Sequence, residues 1–153
     1  MYKKDKIIFK TKLGNIRIDS ENDRIILIEF TKNNIKQSRS IILNKTKIQI
    51  QEYITGKRKI FNIKLNPKGT IFQKNVWEQL KLIPYGKTYS YLKLASILKT
   101  SPRAIGNACG KNPILLLVPC HRVLSKNGKL TGFSALGGIE TKKKILTLEG
   151  IKV

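Results

Sequence analysis

Hydrophobic positions in the first 65 residues fall mainly into short β-branched stretches bounded by turn residues, the pattern that predicts strands. The two clearest stretches are KIIFKTKLGNIRID and RIILIEF, which are separated by turn residues. Next, NKTKIQIQEYITG has a helical pattern, with Asn44 as the expected N-cap and Gly56 as the stop. RKIFNIKL is predicted to return to strand. The run NPKGT then breaks the pattern, so we predict a sheet domain at residues 1–66 and a second domain at 70–153.

The second domain begins with a helical pattern in TIFQKNVWEQLKLIPYG. Its apolar residues recur at spacings of four, four and three, as on one helix face: Phe72, Val76, Leu80 and Ile83. Thr70 is the expected N-cap and Pro84 the terminator. We expect Phe72, Trp77 and Leu80 to lie in the core.

The stretch SYLKLASILKTSPRAIGNACGKN predicts a short helix, a Lys-Thr-Ser turn and a second helix that Pro102 opens. This is the outline of a helix-turn-helix, although many helical hairpins share it. The second helix is rich in small residues, and each glycine inside a helix costs about 1 kcal/mol relative to alanine. Either another backbone packs closely against it, or it enters a narrow groove. Small residues such as Ala104 and Gly106, beside the single Arg103, suit the minor groove of DNA.

The net charge is extreme, with 31 Lys and Arg against 9 Asp and Glu, or +22. Such an excess indicates a polyanionic partner, most commonly nucleic acid. A composition biased towards Lys, Ile and Asn could also produce it without any binding function. The charge divides evenly, with +11 before and +11 after residue 70, so no tail concentrates it. No apolar run approaches the roughly 20 residues of a membrane helix, and we expect a cytoplasmic protein with no membrane contact.

Cysteine and histidine are scarce: Cys109, Cys120 and His121 are the only ones. A structural zinc site needs about four such ligands, and a disulfide is not expected in a reducing compartment, so we predict no metal and no cofactor. What remains for each cysteine is a reactive thiol or a buried, inert one. For Cys109 we expect a small helix-packing residue.

The motif VPCHRV places Cys120, His121 and Arg122 side by side. A thiol near its reference pKa of about 8.5 needs a base, but neighbouring side chains on a strand point to opposite faces. Contact between them therefore requires a turn or a bridging water. Glu149 could complete a relay, because it lies four residues after Ile145 and so over the apolar face of the last helix. Alternatively, the helix end frays and exposes it; the spacing leaves both possibilities open.

The motifs together resemble one family. FQKNVWEQLKLIPYGKTYSYLKLA, SPRAIGNACGKNP, VPCHRV, GKLTGFSALGG and KKKILTLEG follow, in order and spacing, the methylated-DNA–protein-cysteine methyltransferases, also called O6-alkylguanine-DNA alkyltransferases. The likeness covers residues 71 to 150. It implies an α+β protein with a small ribonuclease-H-like α/β domain, followed by a helical, winged-helix-like domain. It also implies a monomer that binds double-stranded DNA through the minor groove and takes the alkyl group of O6-alkylguanine, and possibly of O4-alkylthymine, in a single turnover.

The resemblance assigns roles by position. It makes Cys120 the alkyl acceptor and His121 the base that reaches it through water, with Glu149 holding the far nitrogen of the ring. Asn112 would tie the helix-turn-helix to the active-site loop. Tyr91 would turn the nucleotide out and protonate the leaving base. Arg103 would fill the gap in the base stack, among DNA contacts that also include Ser90, Tyr91, Ala104 and Gly106.

The resemblance also implies a base pocket. Ser134 would offer its backbone N–H to the guanine oxygen, and the carbonyls of Cys120 and Val123 would accept from the exocyclic amine. Phe133 stands where many relatives have Tyr, which removes a hydrogen bond but keeps an apolar wall. Some relatives bind zinc in the first domain, and this chain lacks the ligands. Arg122 is expected to bond backbone carbonyls around the turn, and the run of Lys142, Lys143 and Lys144 to form a solvated helix face.

Three other functions fit parts of the pattern. A non-catalytic helix-turn-helix protein would bind alkylated or ordinary DNA with Cys120 inert. A general basic nucleic-acid protein would show a steep salt dependence and no preference for damage. A Cys-His hydrolase would turn over esters or peptides. The ordered set formed by Tyr91, Arg103, Asn112, Cys120, His121 and Glu149 favours the alkyltransferase.

Overall fold

The structure is a computed structural model that describes residues 3–125, 128, 130, 133 and 135–153. The chain divides into two compact units, Met1–Lys68 and Gly69–Val153. The first combines a sheet with one helix, and the second is mainly helical. Within the described residues, no helix is both long enough and apolar enough to span a bilayer.

The first unit is built on a three-stranded antiparallel sheet in the order β1-β2-β3. The strands are β1 (Lys4–Thr11), β2 (Gly14–Glu21) and β3 (Arg24–Thr31). Ile16 and Ile18 alternate with more exposed neighbours on β2 and are almost fully buried. This alternation confirms the predicted strands, because side chains of period two place one apolar set on the covered face. Helix α1 (Ile41–Ile54) buries its own apolar residues, Leu43, Ile50 and Tyr53 among them.

Two predictions in this unit were wrong. Helix α1 begins before Asn44, because Ser40 is the N-cap and its Oγ accepts from the backbone N–H of Leu43 at 3.3 Å. The Asn44 amide instead donates to two carbonyls before the helix. Residues 58–65 do not form a strand: only Leu65 bridges to the sheet, next to Ile25. The backbone of this segment bonds elsewhere, as at residue 62, whose N–H donates to a side chain of α1 at 2.9 Å.

The second unit contains four helices, a 3₁₀ turn and a two-stranded parallel sheet among its described residues. In chain order these are α2 (Ile71–Leu80), β4 (Tyr89–Ser90), α3 (Tyr91–Leu98), α4 (Pro102–Gly110), the 3₁₀ turn Cys120–Arg122, β5 (Val123–Leu124) and α5 (Gly138–Leu148). Strands β4 and β5 are only two residues long, yet they bring the start of α3 beside the residues that follow the 3₁₀ turn.

Helix α2 begins as predicted, with a capping box between Thr70 and Gln73. It ends at Leu80, one turn before the expected Pro84. Phe72 is 39 % exposed, so its assignment to the core was wrong. The reason is that Phe72 lies in the first turn of the helix, before its buried residues Val76, Trp77 and Leu80. Trp77 is in the core as predicted, and its indole N–H donates to the Ala108 carbonyl on α4 at 2.9 Å.

The predicted helix-turn-helix is confirmed. Helix α3 ends at Lys99 in the left-handed conformation (φ +55°), and α4 starts at Pro102 with Ser101 as its N-cap. A Cβ on Gly106 would only touch the Tyr91 ring at 4.0 Å, and one on Gly110 would meet nothing within 4 Å. Close packing at the Cβ position therefore does not explain these glycines, and entry of the helix into a narrow groove stays a prediction.

Candidate active site

Cys120 is the first residue of a tight turn. The 3₁₀ turn Cys120–Arg122 is the bend that sequence reasoning offered as one alternative to a bridging water. Asn112, directly after α4, holds the approach to it: its side-chain amide donates to the Val118 carbonyl at 2.8 Å, and its oxygen accepts from the backbone N–H of Ile114 at 3.0 Å. The structure thus places Asn112 between the helix-turn-helix and the cysteine turn.

Glu149 is the centre of a buried polar cluster. Its side chain is 0 % exposed, so the exposed, frayed helix end is excluded. One carboxylate oxygen lies 2.7 Å from His121 Nε2. Arg122 donates from Nε at 2.9 Å and from Nη2 at 3.0 Å, and the backbone N–H of Gly86 donates at 3.1 Å. The residue caps the C-terminus of α5 and joins three separate segments.

Arg122 does more than was predicted. Its Nη1 donates to the Ile83 carbonyl at 2.7 Å, which confirms the expected bond to a backbone carbonyl. Its ion pair with Glu149 was missed, although the two side chains are almost fully buried. Sequence reasoning had considered Glu149 only as a partner for His121. An arginine one position after the histidine should have prompted the question of a shared carboxylate, since a buried guanidinium needs one.

The cluster fixes the state of the histidine. Burial lowers the pKa of His121, against the opposing effects of the hydrogen bond and charge of Glu149. The ring is therefore neutral at pH 7. A carboxylate can only accept, so Nε2 carries the proton and Nδ1 is left as an acceptor. This is the tautomer that a general base requires.

Burial has the opposite effect on the pKa of Cys120. Burial raises the pKa of its thiol, and the side-chain hydrogen bond with Asn112, the charge of Lys142 and its own backbone N–H partly offset this effect. The thiol is thus protonated at rest. In the described part of the chain, no hydrogen bond joins the Cys120 sulfur directly to the His121 ring. A bridging water between them stays a prediction.

The prediction that Lys142 lies on a solvated helix face was wrong. It is 1 % exposed, and its Nζ donates to the Val123 carbonyl at 2.7 Å and lies 5.8 Å from the centre of the Tyr91 ring. Lys143 and Lys144 are exposed, as predicted. One signal was available: Lys142 lies three residues before the buried Ile145, on the same helix face.

The predicted DNA contacts lie on α3 and α4. Ser90 is the N-cap of α3, where its hydroxyl accepts from the backbone N–H of Lys93, and Tyr91 is the half-buried first residue of that helix. Arg103 is exposed in the first turn of α4, and Ala104 and Gly106 are half-buried on the same helix. The two elements thus offer a tyrosine, an exposed guanidinium and small residues together.

The predicted base pocket falls only partly within the residues that the structure describes. Val123 is buried beyond the cysteine turn and Phe133 is half-buried, whereas Ser134 lies outside the described residues. Both cysteines are free, and burial raises the pKa of Cys109 to about 12, which suits a packing residue. The described residues contain no group of three His, Cys, Asp or Glu side chains arranged to hold a metal ion.

Comparison with known proteins accounts for nearly the whole chain. Residues 71–151 match the family model of the 6-O-methylguanine DNA methyltransferase DNA binding domain, and residues 6–67 match that of its ribonuclease-like domain. The chain belongs to the methylated-DNA–protein-cysteine methyltransferase family. The ribonuclease-like assignment also confirms the fold class inferred for the first domain, which the sequence alone had matched only in length and strand content.

Individual relatives agree with this family. The chain is 37 % identical to the methylated-DNA–protein-cysteine methyltransferase of Methanosarcina acetivorans, with 94 % of this chain and 96 % of the relative covered. It is 37 % identical to the constitutive enzyme of Bacillus subtilis, with 93 % of each covered. Among solved structures, the O6-methylguanine methyltransferase of Mycobacterium tuberculosis superimposes with a TM-score of 0.86 at 30 % identity, covering 96 % of this chain and 93 % of that one. The same organism's OGT in complex with DNA gives 0.84 at 32 %, covering 94 % and 91 %.

Proposed function

We propose that this chain repairs duplex DNA by moving an alkyl group from O6-alkylguanine onto the sulfur of Cys120, once per molecule. Its family assigns the class of reaction, direct alkyl transfer from DNA to a protein cysteine. The observation that carries the assignment to Cys120 is the position of this thiol on a turn whose next residue, His121, is kept neutral by burial and oriented by the buried Glu149.

In the transfer step, a sulfur–carbon bond forms as the bond from that carbon to the guanine oxygen breaks. The raised pKa of Cys120 means that the thiol must lose its proton as the attack begins. We assign that proton to Nδ1 of His121, through a water, because Nε2 is engaged by Glu149. The leaving base takes a proton from Tyr91, whose hydroxyl the imidazolium then restores. In net terms the thiol proton ends on the base, and the thioether remains.

Recognition of the damaged base belongs to the helix-turn-helix. Arg103 is exposed, and the small residues beside it leave α4 without bulk on the side that would enter a minor groove. Turning a nucleotide out of the duplex costs a few kcal/mol, less for a mispaired damaged base, and an inserted Arg103 offsets part of that cost. The solved complex of the M. tuberculosis relative with DNA supports duplex DNA as the partner.

The proposal includes a location and an assembly state. A free Cys120 thiol has to stay reduced until it meets its substrate, which a cytoplasmic location provides. One copy of each proposed residue suffices for the transfer, so we propose that the protein acts as a monomer. No cofactor enters the reaction as written, since the leaving group is the base itself.

The direct test is intact mass spectrometry after mixing the protein with a duplex that contains one O6-methylguanine. We expect each molecule to gain one methyl group, located at Cys120 by peptide mapping. Cys120→Ala should gain none while still binding the duplex, and the matched Cys109→Ala variant should react like the unaltered protein. Tight binding to the lesion without any mass gain would instead make the chain a recognition protein, and the relay from Glu149 to Cys120 would be wrong.

A further inference from the structure

One buried charge has no role in the reaction described above. Lys142 lies in the middle of α5 and is 1 % exposed, whereas the next two lysines on the same helix are exposed. Burying an ammonium group is costly unless its surroundings compensate for the lost hydration. Burial lowers the pKa of Lys142 itself, while the nearby thiols Cys120 and Cys109 act in the opposite direction. The burial of this amine therefore carries a cost in free energy, and a function of the amine at its buried position would explain it.

The amine contacts two parts of the site. Its Nζ donates to the Val123 carbonyl at 2.7 Å, immediately after the turn that carries Cys120. It also lies 5.8 Å from the centre of the Tyr91 ring, a distance at which a cation and an aromatic face attract each other. Val123 pairs with Tyr89 through β4 and β5. A single side chain on α5 thus links the cysteine turn, the small sheet and the first residue of α3.

The charge also acts on the reacting sulfur. Lys142 acts on Cys120 to favour its thiolate, against the larger effect of burial. Arg122 cannot help in this respect, because its positive charge is engaged by Glu149. When the thiol ionises, a negative charge appears in a site from which water is largely excluded. A fixed cation in such a site stabilises that charge far more than it would in water.

We propose that Lys142 is a positioning residue for alkyl transfer, one that fixes the Val123 carbonyl at the base pocket and stabilises the thiolate of Cys120 as it forms. This inference rests on the proposed function. It predicts that loss of the Lys142 charge slows the transfer step while affinity for the duplex is kept, because Lys142 is buried whereas Arg103 is exposed.

Lys142→Met tests this, because methionine fills the space of the lysine chain without its charge. The control is Lys143→Met, which makes the same change of net charge at an exposed position of the same helix. Affinity is measured by fluorescence anisotropy on a duplex with one O6-methylguanine, and the transfer rate constant by rapid quench at saturating duplex. We expect the rate constant of Lys142→Met to fall by about 10²–10³, the usual loss for one buried electrostatic group, with affinity within about twofold. Lys143→Met should transfer at the unaltered rate.

Two further variants separate the possible causes. Lys142→Arg keeps the charge and should recover most of the rate, which a role in packing alone would not predict. Lys142→Gln keeps a hydrogen-bond donor but no charge, so it should stay slow, and it decides the question if Lys142→Met does not fold. A wild-type rate constant in Lys142→Met or Lys142→Gln would overturn the inference. If the unaltered protein gained no methyl group at all, the proposed function itself would fail.

Discussion

The substitution Glu149→Gln tests the relay with almost no change of shape. Glu149 is fully buried and accepts from His121, Arg122 and the backbone N–H of Gly86. A glutamine retains one acceptor oxygen but places an NH₂ group where the second oxygen was. The backbone N–H of Gly86 and Nε of Arg122 donate to one carboxylate oxygen, so we expect the glutamine oxygen to stay there. The new NH₂ group then faces Nε2 of His121, and also Nη2 of Arg122, which loses its acceptor.

The consequence for His121 is a change of tautomer. To accept from the NH₂ group, Nε2 must give up its proton, and the proton moves to Nδ1. The nitrogen that was to take the thiol proton is then already protonated. Loss of a general base costs about 10²–10⁴ in rate, and holding a histidine in the wrong tautomer falls at the upper end of that range. We therefore expect the transfer rate constant to fall by about 10³–10⁴.

Stability should fall as well. Removing one partner of a buried ion pair costs about 3–5 kcal/mol, because the other charge, here that of Arg122, stays buried without it. For a protein of this size each kcal/mol corresponds to about 2–4 °C, so the melting temperature should drop by roughly 6–20 °C. The rate must accordingly be measured well below the lowered melting temperature, as followed by circular dichroism.

The assay is single-turnover methyl transfer at saturating duplex, with Glu140→Gln as the matched control. Glu140 is exposed in the first turn of the same helix, so its loss should cost only about 0.3–1 kcal/mol and leave the transfer rate unchanged. If Glu149→Gln, folded at the assay temperature, transferred methyl at the wild-type rate, Glu149 would not orient His121 for proton transfer. A loss of stability alone would leave Glu149 as a structural residue.

Three further predictions follow from the same geometry. Because burial lowers the pKa of His121, the unfolded state binds the extra proton first as the pH falls. The free energy of unfolding should thus decrease from about pH 6.5 downwards and be constant in this respect above pH 7, and His121→Gln should flatten the slope in urea titrations. Cys109→Ala should leave the transfer rate unchanged, and iodoacetamide at pH 7.5 should not label Cys109, whose pKa is raised to about 12. Trp77→Phe should lower the free energy of unfolding by about 1–3 kcal/mol in urea, since the Ala108 carbonyl loses its buried donor, while DNA affinity at matched folded fraction stays constant.

Local signals explain what the sequence predicted well. The start of α2 is encoded by Thr70 and Gln73, and that of α4 by Ser101 and Pro102. In each helix the residues that define the start lie within four positions of one another. The burial of strand β2 follows the period of two that a sheet covered on one face produces, whereas β1 buries three consecutive residues. These features depend on neighbours in the chain, which the sequence displays directly.

The wrong predictions fall on residues whose structure depends on contacts with parts of the chain that are distant in sequence. Asn44 is a good cap residue, but Ser40 lies nearer to where the buried face of α1 begins. Residues 58–65 have strand-like composition, yet the sheet edge pairs only with Leu65, and a segment becomes a strand through its partner. Phe72 satisfies the helical period, but it lies in the first turn of α2, and the residues that this helix buries begin only at Val76.

At the site, too, contacts between neighbours in the chain could be predicted and contacts between distant residues could not. Cys120 and His121 are adjacent in the chain, but Glu149 meets them from 28 residues away, and its exposure could not be decided from spacing. The burial of Lys142 was not predicted, because three consecutive lysines resemble a solvated helix face. Since a helix rotates by about 100° per residue, only one of the three shares the face of Ile145. A run of like charges on an amphipathic helix therefore has to be examined position by position.

The arrangement of charge around Cys120 separates two tasks that one ion pair could not perform. Arg122 and Glu149 neutralise each other at rest, and the pair keeps His121 in one tautomer. If Glu149 instead compensated a charge beside the sulfur, its own negative charge would oppose formation of the thiolate. In the proposed reaction a second cation, Lys142, which is bonded to the Val123 carbonyl and not to Glu149, avoids that conflict. The proton would leave towards the neutral imidazole while the ammonium stabilises the negative charge left on sulfur, so that different groups stabilise the two halves of the ionisation.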